Sequence, residues 1–265
     1  MKYAIEEGGV ALAVGVALAV IDAPSPACSD HVRSTAVHMA IVGIVPAAGY
    51  AERLQPLPCS KEMLRVGGRP VIDYLVERMR AGGCHEVRVV TRPEKADVVA
   101  HADRLGALVV RASPQTISES VAAGLLGLGC DDVVLLGFPD TLWDPMDGFT
   151  RLVRVLEAGS PVALGLFRTP DLRRSDVVSL GDAWRVLAVE VKPAVPRSPW
   201  MWGCAAARAW ALAGIEATPE PGYHVDALCK AGLVVAGVPL SDAWLDIGTP
   251  EALARVEAFL ARAGR

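Results

Sequence analysis

The chain has 265 residues, 52% of them hydrophobic, enough to build the core of one large α/β domain or two small ones. A formal net charge of -4 argues against a nucleic-acid binder, which carries a basic face, while leaving room for a nucleotide, which needs only a few local cations. The six cysteines form no CxxC pair and no Cys–His metal spacing, so they are expected to be reduced thiols of a cytosolic protein.

In chain order, residues 8–21 come first, an apolar and glycine run of about 14 residues. That is short of the ~20 needed to span a membrane. Glu6 and Glu7 precede it where a signal peptide carries positive charge, and Pro24, Ser25 and Pro26 break any helix after it. Residues 1–38 are expected to be a leader upstream of a start at Met39. An extra packed element and a targeting segment are the other readings. Residues 39–265 are expected to form one domain.

From Ala40 onward, β-rich runs alternate with helical patterns. Residues 41–46 read as a buried strand and 49–58 as a loop. Pro70 is expected to open a helix to about residue 81, with Val71, Ile72, Leu75, Val76 and Met79 on one face and Gly82-Gly83 as its stop. Strands are expected at 87–91, 107–111, 132–137, 162–167, near 176–192 and at 233–238. Helices are expected at 95–105, 118–128, after Thr150, near 205–213 and 223–231, and from Pro250. This alternation predicts an α/β fold: a mainly parallel twisted sheet with helices on both faces. Ligands of such sheets sit beyond the carboxyl ends of the strands, which directs attention to 47–61 and 138–144.

In the first of these segments, Ala47-Ala48-Gly49 lets a ligand approach the backbone, and Arg53 and Lys61 follow eight residues apart. Backbone N–H groups with Arg and Lys are what a triphosphate needs. An ordinary βα loop with solvated charges has the same composition, and Asp140 and Asp246, taken singly, also read as a turn residue and a helix cap.

The segment Gly43-Ile-Val-Pro-Ala-Ala-Gly49, with Arg53, Pro56 and Lys61-Glu-Met-Leu64, resembles the signature loop of the sugar nucleotidyltransferases, the glucose-1-phosphate uridylyl- and thymidylyltransferases. Arg69-Pro70-Val-Ile, Phe138-Pro139-Asp140 and Trp244-Leu-Asp246-Ile-Gly-Thr-Pro250 are similar to later motifs of that family, in the same order. The resemblance covers about 40–260. It implies a Rossmann-like, GT-A-like nucleotidyltransferase fold. The implied reaction joins a sugar 1-phosphate, with glucose 1-phosphate favoured, to an NTP, with UTP or dTTP favoured, and releases pyrophosphate.

By this resemblance Asp140 and Asp246 hold Mg2+. Arg53 and Lys61 contact the triphosphate with Ala47, Ala48 and Gly49, and Lys192 binds the sugar phosphate. Gln115, Ser118 and Ser120 lie where the base is recognised, and Gly203 lies against the sugar. The pattern departs at Ala51, which stands for its second glycine, at Glu52, which stands for Thr or Ser, and at Val191, which stands for the glutamate before Lys192.

Two alternatives remain. A cytidylyltransferase acting on a polyol or aminoalcohol phosphate is suggested by Ser118-Glu-Ser-Val121 and Gly124-Leu125, and opposed by the Trp244–Pro250 motif. A catalytically inactive nucleotide-sensing module is favoured by Glu52 and Val191, and opposed by Lys61, Asp140 and Asp246. A dinucleotide-binding dehydrogenase ranks behind these readings, because no G-x-G-x-x-G follows the first strand. The expected partners are the NTP and the sugar 1-phosphate, with no nucleic acid and no membrane, in a cytoplasmic protein for which a homo-oligomer is allowed.

Overall fold

The computed structural model describes residues 39–51, 54–169 and 172–262. The expected leader 1–38 lies outside the described residues, as do Glu52 and Arg53. His38–Arg265 form one compact unit.

The apolar run Ile41–Pro46 forms β1, the middle of a nine-stranded sheet. It pairs in parallel with β4 (Glu86–Thr91) on one side and β6 (Val133–Gly137) on the other. β5 (Leu108–Arg111) extends the parallel set beyond β4. Beyond β6 lies β11 (Met201–Arg208), antiparallel to β6 and to β8 (Val162–Phe167), and β12 (Val235–Ser241) pairs in parallel with β8. Six strands therefore run one way, with β11 reversed among them. The hairpin of β9 (Val177–Leu180) and β10 (Val186–Glu190) continues from the Met201 end of β11. The mainly parallel α/β sheet is as expected.

Successive side chains of the central strands face opposite sides of the sheet and fall into two cores. Val45, Val133 and Leu135 pack toward α1 (Ile72–Ala81), α2 (Ala96–Arg104) and α4 (Gly148–Glu157). Ile44, Val134 and Leu136 pack on the other face with Val121 of α3 (Ile117–Leu125) and Val225 of α5 (Pro221–Lys230). Both faces are thus covered by helices, which is why these strands read as unbroken apolar runs.

Two local expectations are corrected. Pro70 does not open α1. Gly67 and Gly68, at φ +56° and +84°, turn a hairpin between β2 (Arg65–Val66) and β3 (Arg69–Pro70), a conformation that glycine adopts without a steric cost. Val71 N–H then donates to Leu64 O, and the helix begins at Ile72, with Gly82 and Gly83 as its expected stop. The helix expected near 205–213 is instead the end of β11 followed by a 3-10 turn, Ala209–Leu212. Its alanine-rich sequence favours a helix locally, but Ala205 and Ala207 fill one core and Cys204 and Ala206 the other, between two hydrogen-bonded strands.

A third core joins the tail to the front of the sheet. Leu245, Ile247, Ala252, Phe259 and Leu260 pack on Val66, Val71, Tyr74 and Leu142. This packing supports a two-stranded ladder of β7 (Thr141–Trp143) and β13 (Trp244–Asp246) beneath α6 (Pro250–Leu253) and α7 (Val256–Arg262). Among the described residues no helix is long and apolar enough to cross a membrane.

Candidate active site

A cleft of about 580 Å3 opens beyond the carboxyl ends of β1 and β6. β6 lies between β1 and β11 in the sheet, so loops of the first half form one wall and loops around β9–β11 and α5 form the other.

The first wall is the segment after β1, and its backbone is held from behind. Lys95, at the start of α2 and 8% exposed, donates to Ala47 O (2.7 Å), Gly49 O (3.1 Å) and the Glu62 carboxylate (2.7 Å). Arg92 Nε donates to Ala48 O at 2.9 Å, and its guanidinium lies 4.6 Å from the centroid of the Tyr50 ring. Three successive carbonyls thus point at buried or half-buried cations. In a trans peptide the N–H points opposite to the C=O. The N–H groups of Ala48, Gly49 and Tyr50, three residues that line the cleft, are therefore turned away from these cations, as an anion site requires. A Cβ on Gly49 would meet nothing within 4 Å, so the space beside it is open to a ligand. Ala51 has φ +54°, in the left-handed region that favours glycine. A glycine would adopt this conformation without steric cost, and Ala51 holds it under strain.

Lys61 stands on a short 3-10 turn, Lys61–Met63. The preceding Ser60 is fixed to Asp97 by its N–H and its hydroxyl, both at 2.8 Å. Lys61 Nζ reaches Asp140 Oδ2 at 2.7 Å. Burial alone would lower the Lys61 pKa. Asp140, Glu62 and Asp246 outweigh it and raise the ammonium above its ordinary range, so it stays charged at neutral pH. Glu62 is wholly buried; burial pushes its carboxyl up, and Lys95 pulls it back.

Asp140 and Asp246, about a hundred residues apart in sequence, are joined through the β7–β13 ladder. Asp246 pairs with Thr141, and Ile247 N–H donates to Asp140 O at 3.0 Å. Asp246 Oδ1 accepts Gly248 N–H at 2.7 Å, and Thr249 caps α6. Both carboxylates line the cleft beside Lys61. Among the described residues no group of three or more His, Cys, Asp and Glu side chains could hold a metal. A pair of carboxylates is nevertheless a fitting donor set for Mg2+, which binds through one or two carboxylates and fills its remaining positions with water and phosphate oxygens.

Gln115 and Ser120 line the cleft at the start of α3, where Thr116 caps the helix by accepting Glu119 N–H at 3.0 Å. Ser118 is fully buried and, like Ala47, stays behind the wall. Lys192 and Gly203 lie on the second wall, and Lys192 is ion-paired with Glu220. Gly203 is pressed by aromatic groups: a Cβ there would stand 2.7 Å from Trp244 Nε1 and 3.1 Å from the Phe167 ring. Arg53 lies outside the described residues.

Sequence reasoning missed Lys95, Arg92, Arg174, Asp176 and Glu220. For Arg92, its place directly after β4, at a carboxyl end, was a usable signal. Asp176 and Glu220 carry no local signal, because they meet only where the segment before β9 reaches the start of α5, which packs on β10.

Residues 43–165 match the family of MobA-like NTP transferase domains. The glucose-1-phosphate thymidylyltransferase of Streptomyces griseus is 32% identical over 165 residues, which is 58% of this chain and 45% of that protein. The enzyme of the same name from Neisseria gonorrhoeae is 27% identical over 170 residues, 60% of this chain and 58% of its own. The chain thus spans about half the length of these relatives. A Bacillus anthracis protein assigned as a glucose-1-phosphate thymidylyltransferase, solved in complex with sucrose, superposes with a TM-score of 0.73 at 21% identity, covering 84% of this chain and 96% of that one. This likeness shows the fold. Residues 43–165 thus resemble a MobA-like NTP transferase domain, and the relatives matched are sugar nucleotidyltransferases.

Proposed function

We propose that this protein joins a sugar 1-phosphate, with glucose 1-phosphate favoured, to UTP or dTTP, giving the NDP-sugar and pyrophosphate in the cytoplasm. The observation that carries this reading is the meeting of Lys61, Asp140 and Asp246 at the strand ends, facing the amides of residues 48–50. The reaction forms a bond from an acceptor phosphate oxygen to the α-phosphorus and breaks the bond to the leaving pyrophosphate oxygen. The attacking oxygen is already ionised, so no general base is needed. The protein has to bring two anions together and neutralise charge on the leaving group.

In this proposal the amides of Ala48, Gly49 and Tyr50, with Lys61 and Arg53, hold the triphosphate. Gln115 and Ser120 meet the base, and Lys192 orients the acceptor phosphate. Asp140 and Asp246 would hold Mg2+, which supplies charge neutralisation on the phosphates when bound.

The test is pyrophosphate release from UTP, dTTP, CTP, ATP and GTP, each with a set of sugar, polyol and aminoalcohol phosphates, with and without Mg2+. Release confined to UTP or dTTP with a sugar 1-phosphate is expected. Release only from CTP would move the activity to the cytidylyl class. Tight Mg·NTP binding with no release from any pair would leave a sensing module.

A further inference from the structure

We propose that Arg78, a buried arginine of α1, is a positioning residue for the Asp140–Asp246 pair. It acts by anchoring the far end of the ladder that joins the two carboxylates. The proposal rests on the transferase reading for the role of the pair, but metal binding can be measured apart from turnover.

Arg78 is 1% exposed and does not line the cleft. Its Nη1 donates to Tyr74 O, one turn back in α1, at 2.8 Å. Its Nη2 donates to the carbonyl of Trp143, the last residue of β7, and lies 3.6 Å from Asp144 Oδ1. The guanidinium stands 4.8 Å from the centroid of the Trp143 ring. That ring is also packed by the start of α4, where a Cβ on Gly148 would stand 2.6 Å from Trp143 Cζ3. One side chain therefore ties α1 to the backbone, the ring and the following carboxylate at a single point of the ladder.

That point is the end remote from the chemistry. Asp140 precedes β7, and Asp246 closes β13 opposite Thr141. At the other end Trp143 pairs with Trp244, and Asp144 N–H donates to Ala243 O. At about 3.3 Å per residue, the anchored carbonyl and the Asp140 backbone lie about 10 Å apart along one strand. A two-stranded ladder this short is marginal by itself, so its neighbours have to hold it. Leu142 and Leu245 pack into the third core, and apolar contact of that kind is non-directional. Hydrogen bonds are directional and the guanidinium is a rigid fork, so Arg78 fixes the ladder along its length.

Stability is a poor reason to bury this charge, since apolar residues of similar volume often replace a buried ion pair with no loss. A metal site supplies a better one. Mg2+ demands near-ideal octahedral geometry at about 2.1 Å, and its carboxylates must be held to within about 0.5 Å. Groups that orient metal ligands from behind typically set metal affinity by about 10- to 100-fold. Tyr74, whose carbonyl shares the fork, also packs in the third core with Leu142 and Leu245. The directional and the apolar hold on the ladder thus come from one stretch of α1.

The experiment is Mn2+ binding to the full chain in the presence of UTP, followed by the electron paramagnetic resonance of free Mn2+, in parallel with the pyrophosphate assay at varied Mg2+. Arg78→Met keeps an unbranched stem and removes the fork. It should weaken Mn2+ binding at least about tenfold, and raised Mg2+ should restore much of the lost turnover. UTP affinity in chelator should stay within about twofold, because the amides of residues 48–50 are held by Lys95 and Arg92. Arg78→Lys keeps the charge without the fork, so it should fall between the two, and it serves if the methionine variant does not fold. Leu156→Ala, a core truncation in the last turn of α4, should lower the urea midpoint without moving Mn2+ affinity. Mn2+ affinity within about twofold of wild type in a folded Arg78 variant, or an equal loss in Leu156→Ala, overturns the proposal. Wild-type turnover together with unchanged Mn2+ affinity in the Arg78 variants sinks this role alone. Arg78-dependent Mn2+ binding without pyrophosphate release from any substrate pair sinks the transferase reading alone.

Discussion

Replacing Lys95 with Met tests whether the first wall is held in place by one buried ammonium. The side chain donates to two loop carbonyls and to Glu62, which is 0% exposed. Removing one partner of a buried ion pair costs about 3–5 kcal/mol, and each carbonyl left without its donor adds about 1 kcal/mol. Glu62 limits the loss by taking up a proton, since burial already pushes its carboxyl above the ordinary 4.5 and Lys95 is the main influence opposing this.

The sign follows from that. In the variant the folded state binds a proton at Glu62 more tightly than the unfolded chain does. Stability therefore rises as pH falls from neutral toward the ordinary carboxylate range. Lys95→Met should lose about 4 kcal/mol at pH 7 and clearly less at pH 5, measured by urea unfolding followed through tryptophan fluorescence. Lys95→Met with Glu62→Leu should regain much of the stability, because no buried charge remains. Mg·NTP affinity should nevertheless stay at least about tenfold weaker in the double variant, because the carbonyls that orient the amides of residues 48–50 are no longer anchored. A loss below about 1 kcal/mol, a deficit independent of pH, or full nucleotide affinity in the double variant would refute the argument.

The remaining predictions use the same geometry. Lys61→Met should lower turnover about a hundredfold and cost about 1 kcal/mol of stability, since it leaves Asp140 beside Asp246 without the ammonium; steady-state kinetics and thermal unfolding check both. Asp140→Asn and Asp246→Asn should each abolish Mg2+-dependent turnover and weaken nucleotide binding mainly when Mg2+ is present; equal weakening in chelator, seen by titration, would remove them as metal ligands. Ala51→Gly should relieve the left-handed strain at φ +54° and gain up to about 1 kcal/mol in urea unfolding with turnover unchanged, whereas a less stable variant would show that the methyl group packs usefully.

The sequence by itself determined whatever local pattern encodes. The unbroken apolar runs of β1, β6 and β8 announced strands covered on both faces, and the apolar stripe of α1 with Gly82-Gly83 announced a helix and its end. The spacing from Gly49 to Lys61, with Asp140 after β6 and Asp246 before α6, marked the cleft because ligands gather at carboxyl ends of strands. Tertiary structure decided the rest. The alanine run at 205–207 has helical propensity, but it is a strand because its hydrogen bonds are completed by β6 and β8, segments far away in sequence. Glu62 with Lys95, Asp246 with Asp140, and Asp176 with Gly222 are pairings across about 30 to 100 residues. No periodicity reports such contacts. Burial and the field of distant neighbours give these side chains their roles, and both exist only once the chain has folded.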